Sequence, residues 1–127
     1  SRKVFDDSES AHPITEDEFI KIENIKGKLL MIGAEDDCLW DAAKYVKRAK
    51  RRLAEKPHDC DAELVAYKHG THFVFPESLL KKIFPIGAGT LLKMMFKAAK
   101  EFPKECKGTR IDIDKRASEA IKGWINK

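Results

Sequence analysis

GKLLMIGAEDDCLWDAAKYVKRAKRRLAEKPHDCDAELVAY, residues Gly27–Tyr67, decides the fold. Its first seven residues, Gly27–Gly33, are a short apolar run closed at both ends by glycine. Such a run suits a strand buried on both faces, as in parallel sheets covered by helices. An acidic turn follows, Ala34-Glu35-Asp36-Asp37, then Trp40 and a helical stretch over Asp41–Glu55. There Ala42, Val46, Ala49 and Leu53 recur at helical spacing and form one stripe, and Pro57 stops the helix. Ala62–Tyr67 is a second strand, rich in strand-favouring residues, leading into the loop Lys68–Pro76. Strand, helix, strand at this spacing predicts a right-handed crossover unit of a parallel sheet, hence an α/β fold.

Outside this unit the pattern changes. Ser1–Asp17 is charged and reads as a flexible lead-in. Glu77–Phe84 is a short amphipathic helix stopped by Pro85, and Ile86–Gly89 is a glycine-rich turn. Thr90–Phe102 reads as one helix, apolar around most of its circumference except for Lys93, Lys97 and Lys100. It is expected to pack against the rest of a larger fold or a second copy, or to act as a cap or lid lining a pocket for a flexible apolar ligand. Pro103–Arg110 reads as a loop, and a last helix runs over Asp114–Asn126, capped by Asp112 or Asp114.

The 127 residues are one domain's length, and 43% hydrophobic with 36% charged residues is a globular composition. The net charge of +4 is too modest to argue for nucleic acid. Lys44, Lys47, Arg48, Lys50, Arg51 and Arg52 lie opposite the apolar stripe without interleaved aromatics, as on a solvated helix face. Cys38, Cys60 and Cys106 form no CxxC pair and are odd in number. They read as reduced thiols of a cytoplasmic protein. No apolar stretch approaches the ~20 residues of a membrane span. His69 with His72, and His58 with Cys60, match no zinc spacing, so neither metal nor cofactor is expected.

Asp37 and His72 are the candidate site. Each follows the carboxyl end of a strand, where the ligands and chemistry of open parallel sheets gather. Neighbouring strands lie ~4.8 Å apart, so loops leaving their ends can bring a carboxylate to an imidazole. A buried carboxylate fixes the histidine's tautomer and stabilises its protonated form, making a general base near neutral pH.

At these residues GAEDDCLWDAAKYVKRAKRRL (Gly33–Leu53) followed by AELVAYKHGTHFVFP (Ala62–Pro76) resembles a known group. It is the C-terminal region of the acyl-CoA thioester hydrolase and bile acid-CoA:amino acid N-acyltransferase family of α/β-hydrolases. Asp36, Asp37 and Trp40 fill its DDxxW turn. Tyr67, Gly70 and His72 fit its Y…GxGH pattern, with Thr71 in place of a glycine. The resemblance covers Glu18–Pro76.

It implies that Asp37 is the triad acid, with Asp36 as the fallback, and that His72 is the base. The implied reaction is thioester hydrolysis or acyl transfer on acyl-CoA or another acyl (thio)ester. In such hydrolases the triad runs nucleophile, acid, histidine along the chain. No serine or cysteine here sits in a GxSxG-type elbow. The chain is therefore expected to be a fragment lacking the nucleophile-bearing half and inactive alone, completed by the missing N-terminal half or by a second copy in a homodimer. Neither nucleic acid nor membrane is an expected partner. Two alternatives stand beside this: a non-catalytic module self-associating through an exposed strand edge, and a fragment of a carboxylesterase- or peptidase-type hydrolase.

Overall fold

The computed structural model describes residues 2–126. Two strands, β1 (Lys28–Ala34) and β2 (Asp61–Tyr67), pair in parallel with Lys28 opposite Asp61 and Ala34 opposite Tyr67. Among the described residues six α-helices surround them: α1 (Arg2–Ala11), α2 (Ala42–Glu55), α3 (Glu77–Ile83), α4 (Ala88–Met95), α5 (Lys97–Glu101) and α6 (Pro103–Ile125).

The crossover helix α2 packs against both strands. Asp41 caps it by accepting from the Lys44 N–H at 3.0 Å. Its buried stripe is Ala43, Val46, Ala49 and Leu53, with Ala43 in the place expected of Ala42. Ala49 and Leu53 meet Ile22, Met31, Ala62 and Leu64 in one apolar cluster. Side chains alternate along a strand, so Glu63 and Tyr67 take the face of β2 opposite Ala62 and Leu64. That face meets α6, where Arg116 binds Glu63 and the Tyr67 hydroxyl donates to Asp112 at 2.5 Å. Helices thus cover both faces of the sheet. Coverage is thinner than expected on β1, which is half-buried along Lys28–Ile32 and buried only at Gly33 and Ala34.

Three expectations are corrected. The lead-in holds a ten-residue helix, α1, although it buries no residue. Charge secures it: Glu9 binds Lys44 and Arg48 of α2, and Arg2 binds Asp41 at 2.5 Å. Next, the helix expected over Thr90–Phe102 is two helices, broken at Phe96, whose backbone is extended (φ −128°, ψ 122°). The break lets Phe96 bury with Leu80, Leu92 and Ala99. Last, the loop expected at Pro103–Arg110 is the first third of α6. Burial of Cys106, Thr109, Arg110 and Ile113 holds this segment helical despite Gly108. Asp112 and Asp114 consequently lie inside the helix and cap nothing there. Asp114 instead accepts from the Ser78 N–H at 2.8 Å, in the first turn of α3.

The basic face of α2 is largely ion-paired. Arg52 is gripped by Glu16 and Glu23, Lys47 meets Glu35, and Lys56 meets Glu16. Among the described residues no helix is long and apolar enough to cross a membrane.

Candidate active site

The site forms where β1 and β2 end side by side. Just beyond Ala34 the chain turns, and the Asp37 N–H reaches back to the Ala34 carbonyl. Close packing makes the turn: a Cβ on Gly33 would stand 2.9 Å from the Ala42 backbone. Beyond Tyr67 the second loop carries His69 to His72. Gly70 is equally confined, since a Cβ there would meet Val74 at 2.9 Å and Ala34 at 3.1 Å.

His72 presents Nδ1 to Asp37 Oδ2 at 3.0 Å. Asp37 is only 2% exposed. Its other oxygen accepts from the Leu39 N–H at 2.8 Å and the Trp40 N–H at 3.4 Å. These amides aim the carboxylate, and they supply the donors that a buried carboxyl needs to offset lost hydration. With Nδ1–H donating to Asp37, the imidazole keeps its lone pair on Nε2. Trp40 packs edge-on against the His72 ring at 4.5 Å between centroids, and Phe5 of α1 packs edge-on against Trp40 at 6.1 Å.

The neighbouring aspartate has a different task. Asp36 Oδ1 accepts from the Gly70 N–H at 2.9 Å and the Thr71 N–H at 2.8 Å, and Oδ2 faces His69 Nδ1 at 3.2 Å. Asp36 therefore ties the first loop to the second, one residue before His72. Thr71, the residue in place of the pattern's glycine, is buried with φ 63°. That conformation favours glycine, and the Thr71 hydroxyl offsets it by accepting from the Phe73 N–H at 3.1 Å. His69, read from sequence only as a weak metal candidate, stacks on Phe102 at 4.0 Å, and the Thr109 hydroxyl donates to its carbonyl. Two adjacent aspartates facing two histidines three residues apart are the sequence signal for this arrangement, and spacing alone does not say which carboxylate serves which histidine.

Among the described residues no serine or cysteine is hydrogen-bonded to His72. Ser78 donates to Asp114 and Ser10 to the Asp6 carbonyl. Cys60 and Cys106 are buried, and Cys38 is exposed. His58, the other metal candidate, turns Nδ1 to the Cys60 carbonyl at 3.0 Å. Nowhere among the described residues do three or more His, Cys, Asp or Glu side chains gather to hold a metal.

Parallel strands joined through a helix, with a carboxylate and an imidazole meeting at their carboxyl ends, define an α/β protein. The family described as BAAT / acyl-CoA thioester hydrolase C terminal matches residues 2–79, and the chain belongs to it. The match begins at α1, upstream of the stretch Glu18–Pro76 that carries the sequence resemblance. No curated protein and no solved structure matches the chain.

Proposed function

We propose that Asp37 and His72 are the acid and base of a catalytic triad acting on acyl thioesters, with a nucleophile supplied from outside these 127 residues. One observation carries this reading: His72 Nδ1 lies 3.0 Å from a carboxylate that is 2% exposed and held by two backbone amides. A surface pairing would leave that carboxylate free to turn to water. Here it is confined to orienting one histidine.

In the proposed reaction Nε2 of His72 takes the proton of a serine hydroxyl or cysteine thiol as that atom attacks the thioester carbonyl carbon. The tetrahedral intermediate collapses with cleavage of the C–S bond, and the leaving thiolate takes the proton back from Nε2. Water or an amine then attacks the acyl-enzyme carbonyl as Nε2 of His72 takes its proton. The bond from the acyl carbon to the enzyme's oxygen or sulfur breaks, and Nε2 returns the proton to that atom. Asp37 stays ionised throughout and stabilises the imidazolium by its charge. No metal or cofactor takes part. Three free thiols suit a reducing compartment, which for this reading is the cytoplasm.

The test is hydrolysis of acyl-CoA by the chain alone and joined to the nucleophile-bearing segment. The joined protein should be active, and His72→Ala should lower kcat by at least about a thousandfold, the scale of losing a triad member. The chain alone should be inactive. Activity that survives His72→Ala would refute the assignment. In the chain alone, the strongly deshielded N–H proton resonance assigned to His72 Nδ1 should disappear in Asp37→Asn, while that of His69, which faces Asp36, should remain. Persistence of the His72 resonance there would refute the pairing.

A further inference from the structure

Between α4, α5 and the first turns of α6 lies a half-open pocket of about 370 Å³, within the size range of small-ligand sites. Its floor is apolar: Leu92, Ala99 and Cys106 are all buried. Its rim carries Lys93 from α4 with Lys104 and Lys107 from α6, all exposed. No carboxylate lines it, and none of these lysines is ion-paired among the described residues. Arg110 also lines the pocket, but its Nε donates to Glu77 at 2.7 Å, so its charge is already balanced. Burial, reinforced by the negative charge of Asp36, pushes the Cys106 thiol up to about 11. The floor is thus neutral at physiological pH and brings no anion of its own.

Three uncompensated ammonium groups over an apolar floor define the ligand's chemistry. A monoanionic fatty acid would satisfy one of them. A phosphate ester bearing a flat apolar group would engage several lysines as point charges and still cover the floor. We propose that this pocket binds a nucleotide through its phosphates, with its base against Leu92, Ala99 and Cys106. Identification of that nucleotide with the 3′-phosphoadenosine diphosphate end of an acyl-CoA rests on the catalytic reading above. The pocket adjoins the histidine loop through α6: Lys107 lines the pocket, and two residues on Thr109 donates to the His69 carbonyl. Phe102, immediately before α6, stacks on His69.

The test is calorimetric titration of the chain with 3′-phosphoadenosine 5′-diphosphate, and separately with adenosine and with inorganic phosphate. The nucleotide should bind, adenosine should not measurably bind, and inorganic phosphate should bind at least about tenfold more weakly. Each close charge is worth roughly fivefold at the surface, so Lys104→Glu with Lys107→Glu should weaken nucleotide binding well over tenfold. Raising salt should weaken it too. Lys81→Ala with Lys82→Ala, outside the pocket, should change it less than twofold. Unchanged affinity in the Lys104/Lys107 variant, equal binding of adenosine, or equal binding of inorganic phosphate would each overturn the proposal. The catalytic reading fails separately. Nucleotide binding without His72-dependent thioester hydrolysis would sink catalysis and leave the pocket standing, whereas hydrolysis without nucleotide binding would sink the pocket alone.

Discussion

Asp36 offers the sharpest test of how the two loops are joined, because it holds the His72 loop without touching His72. In Asp36→Ala the Gly70 and Thr71 amides, both buried, lose their acceptor. Each unsatisfied buried donor costs about 1–3 kcal/mol. The Asp36 side chain is 18% exposed, so water can reach part of the space it vacates. The expected loss is therefore in the lower half of that sum, about 2–4 kcal/mol. In a chain of this size that lowers Tm by about 10 °C. Asp36→Asn keeps an amide oxygen for both donors and loses only charge assistance, about 1 kcal/mol. Urea denaturation of the three proteins separates these outcomes. If the Ala and Asn variants fall together, or if Asp36→Ala costs under about 1 kcal/mol, Asp36 does not bind the loops together.

Three further outcomes follow from the same geometry. Thr71→Val should lower the urea midpoint more than Thr71→Gly, because both lose the hydroxyl that serves the Phe73 N–H, but valine keeps the strained φ of 63° while glycine relieves it. Arg52 holds the carboxyls of Glu16 and Glu23 down to about 2 by direct hydrogen bonds. Their lowered values add stability that is complete above pH 4.5 and is lost as pH falls toward 2, so Arg52→Met should flatten the acid limb of a stability–pH profile. Gly33→Ala should destabilise by about 1–3 kcal/mol in thermal melts, since the new methyl meets backbone rather than a yielding side chain.

The core unit was readable because each part carried a local signal. Glycines close the apolar run that becomes β1, one stripe defines α2, and a run of strand-favouring residues defines β2. The positions of Asp37 and His72 followed from those ends. What could not be read depends on distant partners. The α1 segment buries nothing, and its partners on α2 lie 35 and more residues away. Gly108 and Thr109 look like a helix break until Thr109 is seen lodged beneath the histidine loop. Phe96 breaks its helix for a tertiary contact with Phe73 and Leu80 that no local periodicity records. Asp36 and Asp37, adjacent and identical in type, differ only in where the turn aims them. Sequence could name the pair and favour one by resemblance, but the distances assign their partners.

The way α1 is attached has a consequence for the order in which the chain comes apart. A helix with no buried side chain gains little from the hydrophobic effect, so its adhesion is mostly Coulombic and weakens with ionic strength. Salt should therefore speed hydrogen exchange in α1 well before it touches α2 or β2. Phe5 then leaves Trp40, and Trp40 is the ring packed against His72. The N-terminal helix is in this sense an ionic latch on one wall of the histidine's enclosure: a change in dissolved salt, with no ligand and no titration, reaches the imidazole through two aromatic rings.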